Sequence, residues 1–330
     1  MVNIAIVGAT GLVGSTFLKV LEEKNFKDVN YRLFASSKSK GKKVNFLNQE
    51  YLIEELTENT FKDTKFDYAL FSAGGKISEH FAPIAAKTGC IVIDNSSTFR
   101  MHEDVPLVVP EINKEMINKN HGIIANPNCS TIQAVLPLKV LHQKYRIKRI
   151  IYSTYQAVSG AGIAGIQDLE NPFNWDNPQK FPYPIHNNCI PHIDVFLENG
   201  YSKEEMKMIE ETKKILNDNS LNITATTVRV PVKNCHSESI NVEFYEEFSL
   251  EEIKSTLNTQ KGLVILDDLD KNLYPLASLA DGKDEVYVGR IRRDFSVKNG
   301  LNMWVVADNI RKGAATNAVQ ILEYLINSKN

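Results

Sequence analysis

This sequence is short of the features that would place it outside the cell, in a membrane or on nucleic acid. Its four cysteines, Cys90, Cys129, Cys189 and Cys235, include no CxxC pair, so free thiols are expected rather than a disulfide framework, and no metal site is expected. Net charge is nearly absent: 38 Lys and Arg against 40 Asp and Glu leave −2, too little to draw the chain to nucleic acid or an anionic membrane. No apolar run approaches bilayer length. The opening "MVNIAIVGATG" has no basic region ahead of its apolar run, and its glycine turn arrives too soon for a signal sequence, so a cytoplasmic location is expected. There is no internal repeat or low-complexity segment. A length of 330 residues, at about 150 per domain, suggests roughly two domains. The partners expected are small molecules or copies of the chain itself.

What the chain does carry begins at once. "VNIAIVGATGLVGSTFLKVLEEKNF" reads as an apolar strand from Val2 to Val7, a glycine turn, and a helix with apolar Leu12, Phe17, Leu18 and Leu21. That succession opens a dinucleotide-binding unit. Gly8, Gly11 and Gly14 form G-x-x-G-x-x-G, a departure from the usual G-x-G-x-x-G. Gly8 permits the tight turn, Gly11 lets a pyrophosphate reach backbone N–H groups at the helix N-terminus, and Gly14 lets helix and strand pack closely. The next strand, "YRLFAS", ends near Ala35 without the acidic residue that would bind a ribose 2′-hydroxyl. Ser36, Ser37 and Ser39, with Lys38, Lys40, Lys42 and Lys43, provide instead a site for an extra phosphate, which favours NADP. "FDYALFSAGG" and "GCIVIDNSSTFR" continue a parallel sheet and set residues 72–75 and 95–100 at strand ends, where ligands gather. Cys90, within an apolar run, reads as a core thiol.

Cys129 has a different setting. In "ANPNCSTIQAVLPL" it stands between a turn-forming Asn-Pro-Asn and what reads as the first turn of a helix, where unpaired N–H groups stabilise a thiolate. Read locally, it is either an activated nucleophile or a packed cysteine. Pro137 is expected to end or kink that helix.

The motifs "ANPNCST", "STYQAVSGAG", "ETKK", "RVPVKNCHSESI" and "GLNMWVVADNIRKGAATNAVQILE", in that order behind "GATGLVG", resemble the aspartate-β-semialdehyde dehydrogenase family from the first strand to the last helix. The resemblance implies NADP-dependent reductive dephosphorylation of L-aspartyl 4-phosphate to L-aspartate 4-semialdehyde and phosphate, on the way to lysine, methionine and threonine. Cys129 matches the family's nucleophile, which forms a thioester, and a thiolate both attacks and leaves readily. His236 matches the general acid/base, expected here to work near its ordinary pKa, and Gln156 the residue that orients the acyl group. Arg229 matches the ligand of the α-carboxylate, and alternation along "TATTVRVPV" turns it away from Val228 and Val230. Glu211 matches the ligand of the α-ammonium, and Lys214 and Arg100, helped by Asn128, those of the phosphate. Glu211 and Lys214 lie on a helix opened by a capping box at Ser202, where an ordinary ion pair is the alternative. Cofactor contacts are implied at Gly8, Thr10, Gly11, Leu12, Val13, Gly14, Ser36, Ser37, Lys38, Ser159, Gly160 and Asn309.

The fold expected is α/β. Residues 1–126 with 313–330 form a Rossmann-type parallel-sheet domain for NADP, and residues 127–312 a mixed-sheet α+β domain for catalysis and dimerisation. The resemblance implies a homodimer, with a tetramer as the larger alternative. A hairpin turn is expected at Asn299-Gly300, and the last helix from Ala314. Two departures from the family stand out: Lys38 where arginine is frequent, and Phe295 where proline is common after "RRD". The nearest rival, N-acetyl-γ-glutamyl-phosphate reductase, acts on an acylated amine that would leave a carboxylate at Glu211 without a charge to pair. A catalytically silent NADP-binding dimer would not need Cys129, Gln156, Arg229 and His236 together.

Overall fold

The structure, a computed structural model, describes residues 1–328. The chain divides into two compact units, Met1–Pro127 with the segment from Ala314 onward, and Asn128–Gly313. The first unit opens with β1 (Val2–Val7), α1 (Leu12–Lys24), β2 (Val29–Ala35) and the edge pair β3 (Lys43–Phe46) and β4 (Gln49–Glu55). A single turn α2 (Thr60–Asp63), β5 (Tyr68–Phe71), α3 (Gly75–Lys87), β6 (Ile91–Asp94), the turn α4 (Pro110–Asn113) and β7 (Ile123–Ala125) complete it. The strands form one sheet in the order β3-β4-β2-β1-β5-β6-β7, parallel except for β3 against β4. Central strands such as "YALF" are apolar throughout because both of their faces are buried. The order reverses at β1, with β2 on one side and β5 on the other, which opens a crevice beyond the carboxyl ends of these strands.

The second unit comprises α5 (Cys129–Tyr145), β8 (Ile147–Gln156), α6 (Ile163–Glu170), α7 (Lys203–Leu216), β9 (Asn222–Arg229) and β10 (His236–Phe244). It continues through α8 (Leu250–Asn258), β11 (Leu263–Ile265), α9 (Ala277–Ala280), β12 (Val286–Asp294) and β13 (Gly300–Ala307). Its mixed sheet runs β11-β12-β13-β10-β8-β9, with parallel pairs at β11·β12 and β8·β9. Alternation in β10 turns His236, Glu238, Ile240, Val242 and Phe244 to the buried face, where α5 packs on β10 and α7 on the neighbouring part of the sheet at β9. Since β9 is parallel and β10 antiparallel to β8, the ends of β8 and β9 meet the start of β10 at one edge of the sheet. Gln156, Arg229 and His236 are brought together there. The chain then returns to the first unit through a π-helical turn, Arg311–Thr316, and α10 (Asn317–Ser328). Ala318, Val319, Ile321 and Leu322 of α10 join the core around Ile4, Ile6, Leu33 and Leu70.

Two local expectations are corrected, and helix α5 passes through Pro137 without ending. An interior proline costs about 3 kcal/mol, and the buried Ile132, Val135, Leu136, Leu138 and Leu141 of the same helix outweigh it. The β12–β13 connection spans residues 295–299, and its turn is organised by Asp294, whose Oδ1 accepts from Ser296 N and Oγ at 2.9 and 2.7 Å, in place of a two-residue Asn299-Gly300 turn. The final helix starts at Asn317, behind the π-helical turn. Among the described residues, no helix is long and apolar enough to cross a membrane.

Candidate active site

In the first unit the glycine turn behaves as a cradle. Gly8 has φ +86°, and a Cβ there would lie 2.4 Å from Ser72 O; a Cβ on Gly14 would lie 2.0 Å from Gly8 O. Only glycine fits either position. Gly11 is the N-cap of α1 and offers no side-chain cap, so the first-turn N–H groups, with Leu12 and Val13 at the helix start, remain for an anion. A crevice of about 510 Å³ lies against them, lined by Gly8, Thr10, Gly11, Ser36, Ser37 and Ser72 among others. Among the described residues, no carboxylate lines it. Lys38 lies on the 3-10 turn that follows β2 and outside this lining. Arg100 also belongs to this unit; it is buried, and its Nε and Nη2 donate to the carbonyls of Asn126 and Asn95.

In the second unit Cys129 is the first residue of α5. Asn128 is the N-cap, its side-chain oxygen accepting from Ser130 N at 3.0 Å and Thr131 N at 3.4 Å. This is the helix start expected from "NPNCST", and it turns the half-buried Sγ to within 3.2 Å of His236 Nε2. Ala157 N donates to His236 Nδ1 at 3.0 Å, so the neutral ring carries its proton on Nε2, the nitrogen facing sulfur. The imidazole does not keep its ordinary acidity: burial, reinforced by the Arg229 charge, holds its pKa at about 3. The ring is therefore neutral at physiological pH and presents an N–H donor to a thiolate.

Gln156 ends β8 fully buried. Its oxygen accepts from Thr154 Oγ1 at 3.1 Å, which fixes the amide, and its nitrogen donates to Glu204 at 3.1 Å and lies 3.5 Å from His236 Nε2. Arg229 ends β9 on the buried face, as alternation requires; it donates to Ala157 O, and its Nε has no partner among the described residues. Gly160 stands beside both groups, for a Cβ there would lie 3.0 Å from Arg229 Nη1 and 3.3 Å from His236 Cε1. Ser159 and Asn309 instead form a knot: Asn309 donates to Ser159 Oγ and accepts from Cys235 N, which holds the left-handed turn at Cys235 (φ +73°) immediately before His236.

Glu204 is the carboxylate of this cluster, and the sequence reading missed it. Its oxygens accept from Asn128 Nδ2 at 2.9 Å, Gln156 Nε2 at 3.1 Å and Lys207 Nζ at 3.0 Å. Burial pushes its pKa upward, but the Lys207 charge and these hydrogen bonds prevail and hold it at about 2. Lys207 also reaches Asp194 at 2.8 Å, and these two carboxylates raise its pKa against the opposing effect of burial. Glu211 is buried, at 1 % exposure; it accepts from Asn128 N at 2.6 Å and so holds the backbone of the cap residue. Lys214 lies seven residues beyond Lys207 on α7, about 10 Å along the axis. The pattern E-x-x-K occurs at both 204–207 and 211–214, two helical turns apart on one face. Glu205 takes the capping-box role at Ser202, which leaves Glu204 free to face the thiol cluster.

Two family models match in succession: the semialdehyde dehydrogenase NAD binding domain over residues 3–120 and the semialdehyde dehydrogenase dimerisation domain over residues 138–312. The chain is 54% identical over 334 residues to an aspartate-semialdehyde dehydrogenase of Aquifex aeolicus, covering 98% of both chains. It is 49% identical over 338 residues to that of Campylobacter jejuni, covering 99% of this chain and 98% of the other. Among solved structures, aspartate semialdehyde dehydrogenase II of Vibrio cholerae complexed with ASA superposes with a TM-score of 0.94 at 46% identity, covering 99% and 98% of the two chains. The aspartate semialdehyde dehydrogenase of Candida albicans with NADP gives 0.79 at 26% identity, covering 98% of each. With an N-terminal nucleotide unit, a mixed-sheet second unit and matches along the whole chain, this protein belongs to the aspartate-semialdehyde dehydrogenase family.

Proposed function

We propose that the chain reduces L-aspartyl 4-phosphate to L-aspartate 4-semialdehyde and phosphate, reversibly and with NADPH, through a thioester on Cys129. The observation that carries this reading is the 3.2 Å approach of Cys129 Sγ to His236 Nε2 at a helix N-terminus, beside a buried arginine. The helix start and the Arg229 charge favour the thiolate, which attacks the acyl carbon; the C–O bond to phosphate breaks, and phosphate departs with the electron pair. Nε2–H of His236 donates to the thiolate at rest and to the developing oxyanion during attack. A nicotinamide dinucleotide, when bound, supplies hydride to the acyl carbon or removes it in reverse. In the reductive direction the Cys129 thiolate then leaves as the aldehyde carbonyl forms. Gln156, its amide fixed by Thr154 and Glu204, orients the acyl group.

The charges of the substrate sort the remaining residues. Arg229 takes the α-carboxylate, its Nε and outer nitrogens forming a fork. Glu204, within the cluster, is proposed to share the α-ammonium with Glu211, whose carboxylate also supports Asn128. Lys207 joins Arg100 and Lys214 as a proposed phosphate ligand. For the cofactor, the turn from Gly8 through Gly14 is proposed to hold the pyrophosphate, with Thr10, Leu12 and Val13 in the same turn. Ser36, Ser37 and Lys38 are proposed for the extra phosphate, and Ser159, Gly160 and Asn309 for the nicotinamide side. A homodimer formed through the second unit, a cytoplasmic setting and a place in lysine, methionine and threonine synthesis complete the proposal. The test is phosphate-dependent reduction of NADP and of NAD by L-aspartate 4-semialdehyde. A kcat/KM at least about tenfold higher with NADP is expected. Equal use of NAD overturns the cofactor assignment, and no turnover with either overturns the reaction.

A further inference from the structure

The Pro- and Asn-rich stretch "NPFNWDNPQKFPYP", residues 171–184, has no part in the chemistry above, yet it is tied down firmly. Asp168 of α6 is buried, and its two oxygens accept from Gln179 N, Lys180 N and Phe181 N at 2.9, 2.7 and 3.1 Å, and from Asn174 Nδ2 at 3.3 Å. A carboxylate receiving three successive backbone N–H groups fixes that short segment as a nest fixes an anion. Farther along, Ile190 exchanges both backbone hydrogen bonds with Arg229, at 2.9 and 2.8 Å. The segment between these anchors is therefore a strap fastened at one end to α6 and at the other to the arginine's own backbone.

Phe181 stands just inside the first anchor. Its ring centroid is 5.8 Å from the guanidinium carbon of Arg229, and the ring packs against Val158, Ile185 and Ile190. Gly165 makes the room, because a Cβ there would come within 3.2 Å of Phe181 Cζ. Arg229 is buried, bonds one carbonyl and leaves Nε unpaired, so its charge is short of compensation, and burial draws its pKa down accordingly. An aromatic face attracts a desolvated guanidinium without offering an acceptor that competes for its N–H fork. A carboxylate in that place would occupy the nitrogens that a ligand needs.

We infer that Phe181 is a positioning residue for substrate recognition: its ring, held by the Asp168 anchor and the Ile190–Arg229 pairing, orients the guanidinium toward the carboxylate of the substrate. This rests on the reading of Arg229 as the carboxylate ligand. The experiment compares Phe181→Leu, Phe181→Tyr and Arg229→Lys in the aldehyde assay at saturating NADP and phosphate, with thermal melting alongside. Phe181→Leu is expected to raise KM for the semialdehyde about tenfold while kcat and the KM for NADP stay within about twofold, and Phe181→Tyr is expected to restore it. A wild-type KM in Phe181→Leu, with Arg229→Lys impaired, overturns the inference and leaves the reading of Arg229 intact. A Phe181→Tyr protein that melts normally but is as impaired as Phe181→Leu also overturns it. Wild-type KM in both Phe181→Leu and Arg229→Lys overturns the reading of Arg229 itself. If Phe181→Leu does not fold, Asp168→Asn carries the test: a raised KM supports the inference and a wild-type KM overturns it.

Discussion

Replacing Glu204 by glutamine should separate the two carboxylates of α7. The folded state holds Glu204 at about 2 against an ordinary 4.5, a difference of roughly 2.5 units. At about 1.36 kcal/mol per unit this is roughly 3 kcal/mol of stability. Asp194 still pairs with Lys207 in Glu204→Gln, so the lysine is not stranded and the loss stays near that figure. For a unit of this size about 1 kcal/mol moves Tm by about 2–4 °C, which predicts a fall of roughly 6–12 °C at pH 7. The pH dependence has a definite sign. A carboxylate with a depressed folded pKa contributes fully above its unfolded value, 4.5, and loses that contribution as pH falls toward about 2. The Tm gap between wild type and Glu204→Gln should therefore be constant from pH 7 to about 5 and shrink below 4.5. With Glu204 as a proposed ligand of the α-ammonium, the neutral amide loses that charge pairing, and kcat/KM in the aldehyde assay should fall about a hundredfold. Glu211→Gln keeps an oxygen for Asn128 N and should stay within about fivefold of wild type. Calorimetry and steady-state kinetics on both variants decide the matter. An unchanged Tm at pH 7, a gap indifferent to acid, or a Glu211→Gln enzyme worse than Glu204→Gln would refute the reasoning.

Other perturbations test separate parts of the site. Gly313→Ala places a methyl 2.8 Å from Cys129 Cβ and 3.1 Å from its Cα, so the proposed nucleophile must move; kcat/KM should fall about ten- to a hundredfold while NADP affinity by titration is kept, and wild-type turnover would contradict the geometry. Cys129 should alkylate with iodoacetamide faster at pH 7 than the exposed Cys189 and far faster than Cys235, whose thiol is pushed upward by burial and by Asp308 and Asp281. Peptide mapping reads the order, and equal rates at Cys129 and Cys189 would count against an activated thiolate. Glu238 is fully buried two residues from His236, has no partner for either oxygen, and is held protonated by burial, with its pKa raised well above 4.5. Folding with such a group is fully favourable only below pH 4.5 and loses stability as pH rises, so Glu238→Gln should melt higher than wild type at pH 8 and show no advantage near pH 4. A lower Tm at pH 8 would refute this.

Much of the site was legible because its residues sit where backbone geometry forces a residue type. Gly8 and Gly14 admit no side chain, Asn128 caps a helix whose first residue is the proposed nucleophile, and alternation set Arg229 inward. What was not legible depended on three-dimensional choice between equivalents. Glu204 and Glu211 occupy the same helical face with the same lysine spacing, and only the packing of α7 against α5 decides which one meets Gln156. The acidity of His236 could not be read from "CHSES", because it follows from complete burial and from the charge of Arg229, which the fold brings alongside. Whether Pro137 would end its helix was not legible for a related reason: the local rule against an interior proline is correct, but the apolar residues around it bury enough surface to carry the helix past it.

The central claim is a covalent one, that the substrate's acyl group is carried on Cys129. Mixing the enzyme with L-aspartate 4-semialdehyde and NADP in the absence of phosphate removes the acceptor that would release the acyl group. The account predicts a burst of one NADPH per active site and, after acid quenching, an aspartyl thioester on the peptide containing Cys129, with neither burst nor adduct in Cys129→Ala. A stoichiometric burst without an adduct on that peptide, or a burst that survives in Cys129→Ala, would contradict it.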